Sequence, residues 1–143
     1  MRIRRPVQVK LILTESTRNR FLEEIEEQVK RLRMELEQLQ FQGKKLLSDA
    51  QRRGPAAVEM VRERLAREER ARRERIEALK AQAEQLRALP EGSEVLYTTV
   101  ESDVEIRVGD DWNDLMNGAE IVIKDGVVVA IRDGRMPDGS ETV

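Results

Sequence analysis

From Thr14 to Leu89 apolar residues recur with a helical period, and the run is broken once, at Gly54-Pro55. Leu22, Ile25, Val29, Leu32, Leu36 and Leu39 follow alternating spacings of four and three, the a and d positions of successive heptads. Such a pattern commits the chain to two long amphipathic helices. Gly54 suits a helix stop and Pro55 the first turn of the next helix. Each segment holds about 35 residues, so each helix is about 50 Å long at a rise of about 1.5 Å per residue. The expected element is a long antiparallel α-helical coiled-coil hairpin over 14–89, with its turn at 54–55. Pairing about that turn sets Arg72 opposite Glu35, and an ion pair is predicted there.

The apolar seam thins towards the turn. Beyond Leu39 the register is expected to run through Gly43, Leu46 and Ala50. Read back from Leu86, the second helix gives Ala83, Leu79, Ile76, Arg72, Glu69, Leu65, Arg62 and Val58. Charged residues at three seam positions fix register at a cost in stability.

Composition agrees with this architecture. Only 3% of the 143 residues are aromatic and 38% are charged, too few large apolar side chains for a big globular core but enough for a narrow seam. The chain has no Cys, which excludes disulfide and thiol chemistry, and no His, which removes the commonest general base and metal ligand. No Gly-rich phosphate loop and no nucleophile motif is found. The expectation is a protein that is not an enzyme, with no catalytic, cofactor-binding or metal-ligating residues. The basic start Met1-Arg2-Ile3-Arg4-Arg5-Pro6 is followed by no long apolar run. A cytoplasmic protein without membrane contact is therefore expected.

The flanking segments change period from helical to alternating. Val7, Val9, Leu11 and Leu13 predict a strand that starts near Pro6. Leu89-Pro90-Glu91-Gly92-Ser93 ends the helical region. Val95–Val100 and Val104–Val108 read as a hairpin turning at Glu101-Ser102-Asp103, and Ile121–Lys124 and Val127–Ile131 as another turning at Asp125-Gly126. Between them Asp111 can cap a short helix, with Asp114 three residues on and Gly118 as its stop. The fold class expected is α+β, with the hairpin inserted in a small five-stranded, antiparallel, barrel-like β-domain formed by 1–13 and 90–132. Residues 133–143 show no pattern and are expected to be a mobile tail.

The net charge of −2 conceals a polarised chain. Residues 1–13 hold four basic and no acidic residues, whereas the chain from Pro90 onward holds four basic and thirteen acidic ones. Attraction between these segments within one sheet is the expected use of the N-terminal arginines.

Several of these motifs together resemble the YlqD family of small bacterial proteins. They are Val7-Gln8-Val9-Lys10 leading into Leu13-Thr14-Glu15, Leu89-Pro90-x-Gly92-Ser93-Glu94, Val108-Gly109-Asp110-x-Trp112, and Ile121-Val122-Ile123-Lys124-Asp125-Gly126-Val127. The resemblance spans nearly the whole chain. It implies a family of uncharacterised function, so no site residue follows from it.

Three surface features remain. Asp110, Asp111 and Asp114 surround Trp112, and helix capping explains two of the three better than a cation site does. Trp112 is expected to plug the core of the β-domain. Residues 44–75 carry eleven basic and six acidic residues, with Arg52 and Arg53 beside the turn. Met34 and Phe41, seven apart, fall on the outer face of the first helix, and Met60 occupies the corresponding outer position of the second. The candidate partner surface is therefore Arg52, Arg53, Met34 and Phe41. The expected function is that of a coiled-coil adaptor or assembly protein that forms a homo-oligomer and contacts a further macromolecule. An RNA- or ribosome-associated role for the basic distal half of the hairpin is the alternative, and nucleic acid is the less favoured partner.

Overall fold

The computed structural model describes residues 1–134 and 140–142. In chain order the elements are β1 (Arg2–Ile12), α1 (Glu15–Arg53), α2 (Pro55–Ala88), β2 (Glu94–Glu105), α3 (Trp112–Asn117), β3 (Glu120–Lys124), β4 (Val127–Arg132) and β5 (Ser140–Thr142). The chain divides into two compact units, Met1–Arg18 with Leu89–Val143, and Asn19–Ala88.

The first unit is built on one mixed sheet in the order β2-β1-β3-β4-β5. Its body is four strands, and the three-residue β5 adds to the β4 edge. β1 lies antiparallel to β2 and parallel to β3. The five antiparallel strands expected from the sequence therefore do not occur, and no pairing closes β2 onto β5 as a barrel among the described residues. Two physical facts account for the difference. The stretch Glu101-Ser102-Asp103 is no turn; it stays extended, and these residues pair with Pro6, Arg5 and Arg4 along a single 12-residue β2. With its N-terminal neighbour already in place, nothing forces β2 to fold back on itself. The chain then passes across β1 by way of α3, so β3 enters on the far side of β1 and runs parallel to it.

β1 begins earlier than expected, at Arg2, and runs through Pro6. Proline is tolerated because β3 meets β1 only from Gln8 onward, so no ladder partner stands beside Pro6 on that side. The Asp125-Gly126 turn does join β3 to β4, with both residues at positive φ (48° and 82°), as a tight hairpin requires. Asp133 and Gly134, expected in the mobile tail, are held in place. Asp133 pairs with Arg5, and the Gly134 N–H donates to the Gly118 carbonyl at 3.2 Å. Ser140–Thr142 from the same tail forms β5 against β4. The rest of that expectation, 135–139 and 143, lies outside the described residues.

Two polar clusters tie the unit together. Arg5, 8% exposed on β1, donates to the Leu115 carbonyl at 3.2 Å and makes a two-pronged pair with Asp133 at 2.9 and 3.2 Å. It thus joins the crossing helix α3 and the end of β4 to the central strand. Lys10 on β1 donates to Glu120 on β3 at 2.8 Å, and Arg132 on β4 reaches both Glu120 (3.2 Å) and Glu94 on β2 (2.6 and 2.9 Å). All four main strands are represented in this second network. The Arg132 hydrogen bonds hold the Glu94 carboxyl below its usual range. For Glu120 the Lys10 bond is the largest cause of a shift in the same direction.

The connection into α1 is capped. Thr14 Oγ1 accepts from the Thr17 N–H at 3.2 Å and donates to the Asp125 carboxylate at 2.8 Å. The start of the helix is thereby fastened to the β3–β4 turn.

In the second unit α1 and α2 lie antiparallel about Gly54, whose φ of +115° lets the chain reverse. Ile25, Leu39, Ile76, Leu79, Ala83 and Leu86 are buried, while Leu22, Val29, Leu32, Leu36 and Leu65 are half-buried. The expected Arg72–Glu35 pair is present at 3.2 Å. Gly43 and Leu65 stand equally far from Gly54, and a Cβ on Gly43 would lie 3.0 Å from a Leu65 methyl. Past Gly43 the seam differs from its expected course. Leu47 turns inward where Leu46 was expected, and Val61 is half-buried while Arg62 is exposed. The departure is local, because Ala50 is buried and Val58 half-buried on the expected seam.

Two outcomes follow. Replacing Arg5 by Met strands Asp133 and the Leu115 carbonyl in partly buried sites, and should cost about 3 kcal/mol, read by chemical denaturation of the β-unit. Because the folded values of Glu94 and Glu120 are depressed, their stabilisation is complete above the unfolded value near 4.5 and is lost as pH falls below it. Hydrogen exchange in β3 and β4 should accelerate between pH 5 and 3 once the intrinsic pH effect is removed, in a range of about two units around the carboxylate values. Arg132→Met should flatten that dependence.

Candidate functional site

Hairpin residues that face solvent form the candidate site. Along α1, at about 100° per residue, positions 34, 41, 45 and 52 fall within one narrow stripe. Met34 is 55% and Phe41 63% exposed, so the outer apolar positions expected from the sequence do face water. Lys45 places its ammonium 4.7 Å from the centre of the Phe41 ring, a cation–π contact that leaves one side of the ring available. Arg52 continues the stripe in the last turn of α1, whereas Arg53, next in sequence, points about 100° away from it. The structure thus groups Met34, Phe41 and Arg52, and separates Arg53 from them. Met60 on α2 is 72% exposed.

The packing of the two helices leaves open furrows. One, of about 670 Å³, is lined by Ile25, Val29, Met34 and Ala83 and flanked by Lys30, Arg33, Lys80 and Arg87. A second, of about 410 Å³, is lined by Phe41, Gly43, Leu47 and Leu65. Glu37 borders both, so they follow each other along one side of the hairpin. Met34 and Phe41 stand at their margins. The furrows exist because a two-helix pair covers each seam residue from one direction only.

The β-unit contributes features that sequence reasoning missed. Trp112, expected in the core, is 61% exposed as the first residue of α3; Leu115 is the residue that α3 buries. A six-residue helix packs through little more than one side chain, and in α3 that side chain is Leu115. Leu96 and Val100 on β2 are exposed although they lie in a strand. The signal for this was the length of the alternating run 95–105, which gains its neighbour on one side only.

The acidic residues serve structural ends. Asp111 caps α3 by accepting from the Asp114 N–H at 3.0 Å, and Asp110 accepts from the Arg107 N–H at 2.9 Å. Asp125 is held below its usual range chiefly by the Thr14 hydroxyl. The shifts of Glu94, Glu120 and Asp125 are all downward, the direction that keeps a carboxyl ionised and a poor proton donor. Among the described residues no three acidic side chains are grouped so as to hold a metal ion. Nor is any described helix long and apolar enough to cross a membrane.

The same arrangement occurs in known proteins. A solved crystal structure, of a protein of unknown function from Synechococcus sp. WH 8102, superposes with a TM-score of 0.83 at 26% identity, covering 93% of this chain and 95% of that one. The Uncharacterized protein YlqD of Bacillus subtilis (strain 168) is 32% identical over 132 residues, which cover 92% of this chain and 98% of the relative. A family model described as YlqD protein matches residues 1–132, from the first residues of β1 to the end of β4. On this sequence match and the extent of the chain it covers, the protein belongs to the YlqD family.

Proposed function

We propose that this protein is a non-enzymatic adaptor that self-associates through the coiled-coil face of α1 carrying Met34 and Phe41, and offers Arg52 and Arg53 to a macromolecular partner. One observation carries the reading: an apolar furrow, with Met34 and Phe41 exposed at its margins, runs along a two-helix hairpin whose seam is only half covered. A two-helix hairpin gains stability when a further helix covers such a seam, and a second copy of the same hairpin is the simplest source of one.

Sedimentation equilibrium tests the reading. The intact chain should show reversible, concentration-dependent association with a dissociation constant of about 10 μM or tighter. Met34→Glu with Phe41→Glu should weaken it about tenfold or more, since truncating or charging an apolar anchor at an interface centre is costly. Circular dichroism should show the helical content retained. A chain that stays monomeric at about 100 μM would sink the proposal.

A further inference from the structure

The outer stripe of α1 changes charge from one end to the other. Between Asn19 and Arg53, at about 100° per residue, six side chains fall within about 20° of a line through Met34. In chain order they are Glu23, Glu27, Met34, Phe41, Lys45 and Arg52, and all are exposed. Acids come first, two apolar side chains lie in the middle, and cations follow. Glu23, Glu27 and Arg52 have no ion pair among the described residues, and Lys45 lies 4.7 Å from the centre of the Phe41 ring. About 40° from the line stand Arg20 and Gln38 on one side and Lys30 and Ser48 on the other. Arg20 is drawn over the Phe21 ring, 5.5 Å from its centre and away from the line. Arg31, Glu37 and Asp49, at about 60°, carry both signs and give no bias.

A stripe ordered in this way is complementary to its own reverse. A parallel copy would set acid against acid and cation against cation. In a reversed copy centred between Glu37 and Gln38, Met34 is level with Phe41 of the second copy, and Glu23 is level with Arg52 of the second copy. Glu27 then lies about 4.5 Å along the axis from Lys45 of the second copy, on the same side of the contact line. Lys30 lies on the other side, beside Ser48 of the second copy, so the two lysines diverge. The turn at Gly54 reaches the level of Phe21 of the second copy, so the pairing spans α1 of the hairpin unit, which begins at Asn19, and ends within it.

We propose that two copies pack α1 against α1, antiparallel along this stripe, about a two-fold axis between Glu37 and Gln38. This inference rests on the self-association proposed above and names its direction and register. The occupant is a second copy because one stripe carries both halves of the charge pattern. A two-fold pairing uses each half once and leaves none to propagate a chain of molecules.

The chain has no Cys, so single cysteines report on the geometry. With helix axes about 9 Å apart, the two copies of Gln38 stand about 6 Å apart at Cα, within disulfide reach, and the two copies of Ser48 about 30 Å apart. Both positions are exposed. Gln38→Cys should form a covalent dimer on mild oxidation, and Ser48→Cys should stay monomeric on a non-reducing gel. Linking at Ser48→Cys, or none at Gln38→Cys, would overturn the inference, and sedimentation of the parent chain would show whether self-association itself stands. The charges are tested with Glu23→Lys/Glu27→Lys and Lys45→Glu/Arg52→Glu, each checked for retained helix by circular dichroism. Each variant alone should associate about tenfold more weakly than the parent. An equimolar mixture should recover association, because the reversed acids of one meet the reversed cations of the other while the second contact stays native. A mixture that fails to recover would overturn the inference as well. A monomeric parent would remove both proposals.

Discussion

Burial of a single guanidinium organises the β-unit. Arg5 sits on the central strand, and a buried charge there is costly unless it is paired. Its partners come from two elements distant in sequence, the Leu115 carbonyl at the end of α3 and the Asp133 carboxylate just past β4. The chain must therefore carry α3 over β1 before β3 can form. It must also return to the same place after β4. That crossing makes β1 and β3 parallel. It also explains the tight approach of Gly118 to Gly134, where a Cβ on Gly118 would come within 2.8 Å of the Gly134 Cα. The Lys10–Glu120–Arg132–Glu94 network then links the strands that the crossing has placed side by side.

The hairpin unit rests on a different balance. In α2 the buried positions lie in the half remote from the turn, Ile76, Leu79, Ala83 and Leu86, whereas in α1 they are spaced from Ile25 to Ala50. Nearer the turn, Glu68, Glu69 and Arg72 occupy half-buried positions and use ion pairs in place of apolar contact. Partly exposed pairs of this kind add little stability, generally under about 1 kcal/mol each, but they penalise a shifted register. A segment held this way keeps its alignment while leaving apolar surface uncovered.

Much of the hairpin was legible in the residues. The a/d spacing, the Gly54-Pro55 break and the Arg72–Glu35 pair all depend on contacts whose partners are related by a simple reflection about the turn. The exposure of Met34, Phe41 and Met60 was legible for the same reason, because position on a helix decides which way a side chain points. The β-unit was less legible. Trp112 looked like core because large aromatics are normally buried, yet it opens the six-residue α3 and stays exposed, while Leu115 supplies the buried side chain of that helix. Glu101-Ser102-Asp103 looked like a turn because its residues are common in turns. Pairing with Arg4, Arg5 and Pro6 overrode that local preference.

By itself the sequence determined the two helices, their break, the Asp125-Gly126 turn and the family. These features rest on interactions between residues close in the chain or mirrored about one turn. Only the tertiary structure decided the strand order, the parallel pairing of β1 with β3, the partners of Arg5 and the open edge of β2. Those depend on which distant segments meet. Alternation of apolar and polar residues specifies the face of a strand and carries no information about its neighbour.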